Sequence, residues 1–211
     1  YKRQGIEFEV FVVDNASKDG TAQMVMQEFL RVNLIASNEN LGFAKANNLA
    51  LEQAQGKYIL FMNPDMELKE NSLKILVDWL EANKQIDIAT CQLVYPDGFR
   101  QNNVKNNPGL CDQLLILLKL HHLIQPKCLK QYLAKDFDYA KEQQIKQIMG
   151  AFILVKNEII HQLGGWDEDY FLWWEDLDLC KRAQDKGFQI WYTPQTKVIH
   201  HEAKSFEQEL S

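Results

Sequence analysis

Strand-like and helix-like segments alternate over the first hundred residues, and this alternation restricts the fold more than any other feature of the chain. Residues 8–13 and 57–62 are apolar runs of strand length. A helical pattern follows the first run, with apolar residues on one face at Ala22, Val25, Met26, Phe29 and Leu30. The alternation predicts an α/β fold with a mostly parallel central sheet flanked by helices.

The size of the chain fits one domain. Its 211 residues are 46% hydrophobic and 25% charged, which is typical of a globular protein. We therefore expect a single domain over residues 1–211. Because the chain starts at Tyr1 and reaches its first strand almost at once, we also expect a fragment whose sheet lacks its first strand.

Acidic residues follow two of the predicted strands. Asp14 comes directly after the first run, and Asn63, Pro64 and Asp65 follow the second. In open α/β sheets ligands bind outside the carboxyl ends of the strands, so both motifs predict a site at that edge. Each has a structural alternative, since Asp14 and Asp19 could cap the next helix and Asn-Pro-Asp is common in turns.

A third acidic cluster lies near the end of the chain. Glu175, Asp176 and Asp178 follow Trp173 and Trp174. Carboxylates in a first helical turn suit the positive end of the helix dipole, so the cluster could simply open a helix. Three acidic motifs in one α/β chain nevertheless favour a binding or catalytic site.

The charge of the chain limits its ligands. A net charge of -6 argues against a nucleic-acid partner, and a phosphorylated substrate would need local positive charge. The sequence has neither a GxxxxGK[ST] loop nor GxGxxG. A strand-end carboxylate can instead hold a divalent cation that bridges a diphosphate, and Asp65 fits that role.

The cysteines suggest a reducing compartment. Cys91, Cys111, Cys128 and Cys180 show no CxxC spacing, so we expect neither a zinc knuckle nor a disulfide framework. The sequence contains no recognisable signal peptide or membrane-spanning run. Together these features predict a cytoplasmic protein.

Residues 110–124 break the strand–helix rhythm with a nearly apolar run that is too short to span a bilayer. One interpretation is a buried or lid helix. The other is an interfacial helix lying on a membrane, with Lys127 and Lys130 just beyond it.

Several motifs occur in a characteristic order along nearly the whole chain. They are VVDNASKDGT (12–21), NLGFAKANN (40–48), NPD (63–65), GA (150–151), GGWDE (164–168) and EDLDLCKR (175–182), with His200 near the end. In this order they resemble the signature of family-2 inverting glycosyltransferases with the A-type fold, and in particular its rhamnosyltransferase-like branch.

The resemblance implies a nucleotide-sugar-binding half at residues 1–99, a variable helical segment at 100–147 and an acceptor and catalytic part at 148–211. It implies that Asp14 contacts the nucleobase of a nucleotide-diphosphate sugar. The other residues that it implies on the donor side are Asn40, Gly42, Asn47, Asn48, Asn63 and Asp65.

The resemblance also implies the catalytic groups. Asp65 matches a metal-binding carboxylate and His200 a histidine that reaches the same ion, Mg²⁺ or Mn²⁺. Asp176 matches the catalytic base, with Glu175 beside it. The residues implied on the acceptor side are Trp166, Asp167 and Glu168. Trp174 is a further acceptor candidate, because one of the adjacent tryptophans Trp173 and Trp174 must usually face away from the core and an aromatic face can hold a sugar.

The expected reaction is transfer of a sugar, with dTDP-rhamnose as one candidate donor, to a hydroxyl of a glycan or lipid-linked glycan, with inversion. The expected setting is surface polysaccharide biosynthesis, in the cytoplasm or peripherally on the inner face of the membrane. Two alternatives remain open: an inactive module that binds a nucleotide sugar or a partner, and a nucleotidyltransferase.

Overall fold

A computed structural model of the chain describes residues 4–69 and 71–201. The strands are β1 (Val10–Asp14), β2 (Val32–Ala36), β3 (Tyr58–Met62), β4 (Met66–Leu68), β5 (Ile88–Val94), β6 (Arg100–Gln101), β7 (Val104–Lys105), β8 (Gln143–Gln144), β9 (Gln147–Ile148), β10 (Phe152–Lys156) and β11 (Ile190–His200). The helices are α1 (Thr21–Glu28), α2 (Gly42–Leu51), α3 (Ser72–Ala82), α4 (Leu110–Leu117), α5 (Lys127–Tyr132), α6 (Asn157–Leu163) and α7 (Glu175–Asp185), with a 3₁₀ turn at Leu120–His122.

The central sheet has seven strands, and its main path runs β3-β10-β5-β11-β4, with β6 beside β5 and β8 beside β11. β10 is antiparallel to both β3 and β5, and β11 is parallel to β5. β3, β5 and β11 therefore all point in one direction. β1 and β2 form a separate parallel pair, and β7 pairs with β9.

The predicted α/β class is confirmed, but the sheet is mixed rather than mostly parallel. Consecutive parallel strands need a crossover connection, usually a helix on the face of the sheet. β10 instead enters from the 100–147 segment and inserts in the reverse direction between β3 and β5. The alternating pattern of the first hundred residues contains no information about this later strand.

Two apolar layers cover the faces of the sheet, because successive side chains of a strand point to opposite faces. The core beneath α6 and α7 includes Ile59, Phe61, Ile153, Val155 and Leu179. The core beneath α3 includes Leu76, Leu80, Leu93, Phe152 and Leu154. Burying one such side chain contributes roughly 1.5–3 kcal/mol, so the two layers fix the strands that carry the site.

β11 is one strand where the sequence pattern predicts two, at residues 188–192 and 197–200. Its pairing with β5 runs from Ile190 to Thr193 and resumes at Lys197 after a register shift. Pro194 lies within the shifted stretch and has no N–H to donate to a ladder. The shift therefore interrupts the pairing without ending the strand.

The apolar run at residues 110–124 is neither one helix nor buried. α4 ends at Leu117, and Lys119 takes a left-handed conformation with φ 57° before the 3₁₀ turn begins. The interpretation as a buried helix is wrong for its leucines, since Leu110 and Leu117 are 85% and 77% exposed. Within the described residues, no helix is long and apolar enough to cross a membrane.

The expectation of no disulfide is also wrong. Cys111 in α4 and Cys128 in α5 form a disulfide with their Cα atoms 6.3 Å apart. The turn between the two helices brings together cysteines that lack any short-range spacing signature. The cysteine pattern therefore no longer argues for a reducing compartment, although Cys91 and Cys180 are free and buried.

Candidate active site

Predicted site residues meet along one edge of the central sheet. The carboxyl ends of β3 and β11 lie at this edge, together with the amino end of the antiparallel β10. Asn63 and Asp65 follow β3, His200 ends β11, and Gly150 precedes β10. The Asn63 N–H donates to the carbonyl of Ala151 at 3.0 Å, so the loops after β3 and before β10 are joined directly.

Strand pairing brings Asp65 to His200. β4 starts at the residue after Asp65 and pairs antiparallel with the end of β11, which sets His200 opposite Met66. Nε2 of His200 lies 3.4 Å from Oδ1 of Asp65, and their side chains are only 7% and 10% exposed. This carboxylate oxygen is buried and has no hydrogen-bond partner within the described ranges.

Gln101 holds the other nitrogen of the His200 ring. Its Oε1 is 2.7 Å from Nδ1 of His200, and both side chains are buried. An amide oxygen can only accept, so Nδ1 donates its proton to Gln101 and Nε2 faces Asp65. Sequence reasoning missed Gln101, since only the pairing of β6 with Leu93 and Val94 of β5 brings it beside β11.

Asp65 and His200 fit the divalent cation that the motif resemblance implies. A cation that bridges a diphosphate takes most of its ligands from phosphate and water oxygens, so the protein needs to supply only one or two groups. One buried carboxylate oxygen without a donor and one oriented imidazole nitrogen are suitable ligands. In residues 4–69 and 71–201 no cluster of three or more His, Cys, Asp or Glu could hold a metal by itself.

Asp176 is held in place by two backbone amides. Its Oδ2 accepts from the Gly150 N–H at 2.9 Å and its Oδ1 from the Leu177 N–H at 2.7 Å. A Cβ at position 150 would lie 3.2 Å from the Cβ of Asp176, so glycine permits this close approach. The start of α7 is thereby fixed to the loop that also contacts Asn63.

Glu175 has a different environment from Asp176. It is 7% exposed, and its Oε2 has no hydrogen-bond partner in the described part of the chain. Burial, aided by the nearby negative charge of Asp176, raises the pKa of Glu175 above its ordinary value. Asp176 is only half-buried, which makes it the more accessible carboxylate of the pair.

Asn15 organises the loop that leads into α2, and sequence reasoning did not select it. Its Oδ1 accepts from the Leu41 N–H at 2.7 Å, and its Nδ2 donates to Oδ1 of Asn40 at 2.8 Å. Asn40 in turn accepts from the Gly42 N–H at 3.0 Å. The only signal in the sequence is an asparagine directly after the strand-end Asp14.

Asp14 ends β1 beside this loop. It is 6% exposed, and its Oδ1 lacks a hydrogen-bond partner within the described residues. Asp19, and not Asp14, accepts from the Thr21 N–H at the start of α1. The capping alternative therefore applies to Asp19 alone, and Asp14 retains a free acceptor at the carboxyl end of its strand.

Asn48 ties α2 to the loop after α6. Its Oδ1 accepts from the Trp166 N–H, and its Nδ2 donates to the Trp166 carbonyl and to Oε1 of Glu168, each at 2.9 Å. Asn47 donates to the carbonyl of Phe43 within its own helix. Asp167 accepts from the Asp169 N–H and shapes the same loop. Asn48 thus links the predicted donor half to the predicted acceptor part.

The two predicted acceptor tryptophans lie in opposite environments. Trp166 is 2% exposed and packs edge-on against Phe43 and Phe61, with ring centroids 5.2 and 5.0 Å away. Its indole therefore fills the core. Trp174 is 49% exposed directly before Glu175, and Trp173 is 64% exposed. Both have positive φ, 67° at Trp173 and 74° at Trp174. Such values are uncommon for non-glycine residues and occur most often at functional sites.

Comparison with known proteins identifies the family. The model of the family described as Glycosyl transferase family 2 matches residues 2–150. The chain belongs to glycosyl transferase family 2. The resemblance drawn from the motifs is therefore confirmed, and this family 2 member has rhamnosyltransferases among its relatives.

Two relatives match this family 2 member over most of its length. It is 26% identical to the N-acetylglucosaminyl-diphospho-decaprenol L-rhamnosyltransferase of Mycobacterium tuberculosis (strain ATCC 25618 / H37Rv), over 93% of this chain and 67% of the relative. It is also 26% identical to the Rhamnosyltransferase WbbL of Escherichia coli (strain K12), over 94% of this chain and 76% of the relative.

Solved structures share the fold. S. aureus TarS superposes with a TM-score of 0.63 at 16% identity, over 99% of this chain and 34% of that one. The mannosyltransferase PcManGT from Pyrobaculum calidifontis, in complex with GDP-Man and Mn²⁺, superposes with a TM-score of 0.60 at 20% identity. The match covers 93% of this chain and 48% of that one. The family 2 chain thus spans a third to a half of these structures and shares their glycosyltransferase fold.

Proposed function

We propose that the chain transfers a sugar from a nucleotide-diphosphate donor to a glycan hydroxyl, with inversion at the anomeric carbon. The observation that carries this proposal is the attachment of Asp176 to Gly150 at the sheet edge where Asn63 and Asp65 lie. Through this hydrogen bond the accessible carboxylate of Asp176 lies next to the predicted diphosphate site. Membership in family 2 supplies the reaction class.

In the proposed reaction Asp176 acts as the general base. It takes the acceptor hydroxyl proton as that oxygen attacks the anomeric carbon. The new C–O bond forms while the bond to the diphosphate breaks, and its electron pair leaves on the diphosphate oxygen. One displacement inverts the anomeric centre. The Gly150 and Leu177 amides hold the carboxylate in place.

The donor would lie along the β1–α2 side and the sheet edge. The unpartnered Oδ1 of Asp14 is available to accept an N–H of the nucleobase. Asn40 and Gly42, held by Asn15, would line the nucleoside and phosphates. Asp65 and His200 would hold Mg²⁺ or Mn²⁺, which supplies positive charge to the diphosphate when it is bound.

The acceptor would lie on the α7 side. Trp174 offers an exposed aromatic face beside the carboxylates, a surface on which a sugar ring can stack. Asp167 and Glu168 would frame the same side of the cleft. The net charge of -6 disfavours a nucleic acid in this role.

The relatives' names suggest the chemistry of the partners. One is an L-rhamnosyltransferase whose named acceptor is N-acetylglucosaminyl-diphospho-decaprenol, and another is a rhamnosyltransferase. By analogy we propose dTDP-rhamnose as the first donor to test and a lipid-linked glycan as the acceptor. Surface polysaccharide biosynthesis at the cytoplasmic face of the membrane is the corresponding setting.

The test is turnover of a panel of nucleotide sugars by the full-length protein, with Mg²⁺, Mn²⁺ or chelator and a glycan acceptor. Transfer with an inverted anomeric configuration, read by NMR, is the expected result. Binding without turnover would point to an inactive recognition module, and pyrophosphate release to a nucleotidyltransferase. Either outcome would reject the proposed activity.

A further inference from the structure

The apolar face of α4 points away from the protein. Leu110, Leu114, Leu117 and Leu118 follow the i, i+4, i+7, i+8 spacing of one helix face, and they are 85%, 54%, 77% and 61% exposed. The fully buried residue of α4 is Asp112, which is 4% exposed, and Leu115 and Ile116 are half-buried. A surface helix of a globular protein normally shows the reverse arrangement.

The exposed surface continues past the 3₁₀ turn. Leu123 and Ile124 are 79% and 52% exposed, and α4 packs on both the 3₁₀ turn and α5. We call this surface the apolar tip, defined by Leu110, Leu114, Leu117, Leu118, Leu123 and Ile124. Apolar patches of this kind mark binding or membrane-contacting surfaces when they occur on soluble proteins.

The apolar tip is attached to the core. Leu129 and Tyr132 of α5 are 1% and 8% exposed, so α5 is anchored. The Cys111–Cys128 disulfide ties α4 to that anchored helix. The outward direction of the leucines is therefore part of the folded structure.

The exposed charges within residues 109–130 have one sign. Lys119, Lys127 and Lys130 are exposed, and none of them forms an ion pair within the part of the chain that the structure describes. Between residues 109 and 130 the sequence has one acid, Asp112. Its buried carboxylate accepts from the Gly109 N–H at 2.9 Å. The surface is locally cationic on a protein of net charge -6.

We propose that the apolar tip docks this protein on an anionic lipid bilayer. The leucines and Ile124 would enter the boundary between headgroups and acyl chains, to a depth of roughly 5–10 Å. The three lysines would contact headgroup phosphates, each strengthening binding by roughly fivefold. A second copy of the chain suits this surface less well, because three unpaired lysines would face each other across a symmetric contact.

This docking goes beyond the transfer reaction and does not depend on it. The apolar tip contains none of the residues assigned to the donor, the metal or the base. Docking would bring the protein to a lipid-linked acceptor in the membrane, but lipid binding can be measured without any substrate. Failure of the docking is thus distinct from failure of the proposed transferase activity.

Vesicle flotation of the full-length protein tests the proposal. Three proteins are compared: wild type, a Leu117→Asp/Leu118→Asp variant and a Lys127→Glu/Lys130→Glu variant. Each is incubated with vesicles of phosphatidylcholine alone and with vesicles that also contain phosphatidylglycerol. We expect wild type to float with the anionic vesicles. Both variants should lose binding by roughly tenfold or more, from lost insertion in one and lost charge attraction in the other.

Leu30→Asp is the matched control, because Leu30 is an 87% exposed leucine after α1 and lies outside the tip. It should float like wild type, and all variants should keep the wild-type melting temperature. Recovery of the wild type in the soluble fraction with both vesicle types would overturn the proposal. An equal loss of vesicle binding in Leu30→Asp would also overturn it. A dimer that Leu117→Asp dissociates, without vesicle binding, would assign the tip to a second copy and also overturn it.

Discussion

The imidazole of His200 and the carboxylate of Asp65 face each other across 3.4 Å, in side chains that are almost completely buried. The two residues are far apart in the sequence and meet because β4 pairs with the end of β11. Two neighbours of His200 make specific tests possible. Gln101 holds the histidine ring, and His201 lies next to it in sequence with its own partner, Glu67.

The first prediction concerns metal-dependent binding of the donor. Asp65→Ala and His200→Ala should each weaken binding of dTDP or UDP in the presence of Mn²⁺ by about tenfold or more, because a ligand of the bridging cation is lost. A chelator should weaken nucleotide binding by the wild type to a similar level. Isothermal titration calorimetry with and without Mn²⁺ measures both effects.

His201→Ala is the control for this prediction. His201 is the adjacent residue, and its side chain is directed to Glu67 at 3.3 Å, so its loss should leave the Mn²⁺ dependence unchanged. Wild-type affinity that is the same with Mn²⁺ and with chelator would contradict the assignment of Asp65 and His200.

The second prediction assigns Gln101 a positioning role. Gln101→Leu removes the acceptor for Nδ1–H of His200, and Mn²⁺ affinity should fall by about 10–100-fold, as for other groups that orient a metal-binding histidine. Gln101→Glu keeps an acceptor oxygen and should retain most of the affinity. Electron paramagnetic resonance of free Mn²⁺ in the presence of dTDP gives a readout that is independent of turnover. Equal Mn²⁺ affinity in Gln101→Leu and wild type would reject the role.

The third prediction concerns the base. Asp176→Asn should lower the transfer rate at saturating donor and acceptor by about 100-fold to 10,000-fold, the usual contribution of a general base. Donor affinity should change little and the melting temperature should fall only modestly, because an amide oxygen can still accept from one of the two backbone amides, Gly150 or Leu177.

Asp178→Asn provides the comparison within the same helical turn. Asp178 accepts from Nε of Arg182 at 2.6 Å, so its loss should lower the melting temperature and affect the rate only modestly. If Asp176→Asn retains more than about a tenth of the wild-type rate, Asp176 is not the base.

The fourth prediction follows from the raised pKa of Glu175. A carboxyl whose pKa is higher in the folded state binds more protons when folded, so its contribution to stability falls as the pH rises through the window between its ordinary value of 4.5 and its raised value. Glu175→Gln removes this penalty. The variant should be more stable than wild type at pH 7.

Urea unfolding at several pH values measures this effect. The stability difference between Glu175→Gln and wild type should shrink as the pH falls toward and below 4.5, where the glutamate is neutral in both states. Other titrating groups are common to both proteins and cancel in the comparison. A difference that is constant with pH would show that Glu175 is not buried as a charged group at neutral pH.

The fifth prediction separates backbone strain from steric contact at the loop into α2. Gly42 and Gly20 both have positive φ, 78° and 85°. A Cβ at Gly42 would lie 2.4 Å from the carbonyl oxygen of Phe171, whereas Gly20 has nothing within 4 Å. Gly20→Ala should cost about 1–2 kcal/mol from the left-handed backbone alone.

Gly42→Ala should lower the free energy of unfolding clearly more than Gly20→Ala does. It should also weaken dTDP or UDP binding, because the Phe171 segment must move. The free energy of unfolding in urea and the affinity for the nucleotide measure the two effects. Equal losses of stability in the two variants would mean that the loop accommodates the added methyl group.

Much of the fold follows from local patterns. The runs at residues 8–13 and 57–62 contain most of β1 and β3, and the cluster at Glu175 opens α7. The helical spacing from Ala22 marks α1, but α1 ends at Glu28, and Phe29 and Leu30 lie beyond it and are exposed. Strand ends are visible in sequence because an apolar run stops there, so Asp14 and Asp65 could be recognised as strand-end residues. The expected shared sheet edge is wrong, since Asp14 ends β1 of the separate two-stranded pair and Asp65 follows β3 of the central sheet. The site roles of these residues stay predictions, since they rest on the family motifs.

Tertiary structure decided the features that a periodic sequence pattern does not encode. The reversed direction of β10, the contact of His200 with Asp65 and the reach of Gln101 all depend on which strands become neighbours. Periodicity also identifies an apolar stripe without saying which way it faces, and Leu110, Leu114 and Leu117 of α4 face outward. Cys111 and Cys128 pair because α4 folds back on α5. Strand order and helix orientation are set by competition among long-range packing arrangements, which a local stretch of sequence does not record.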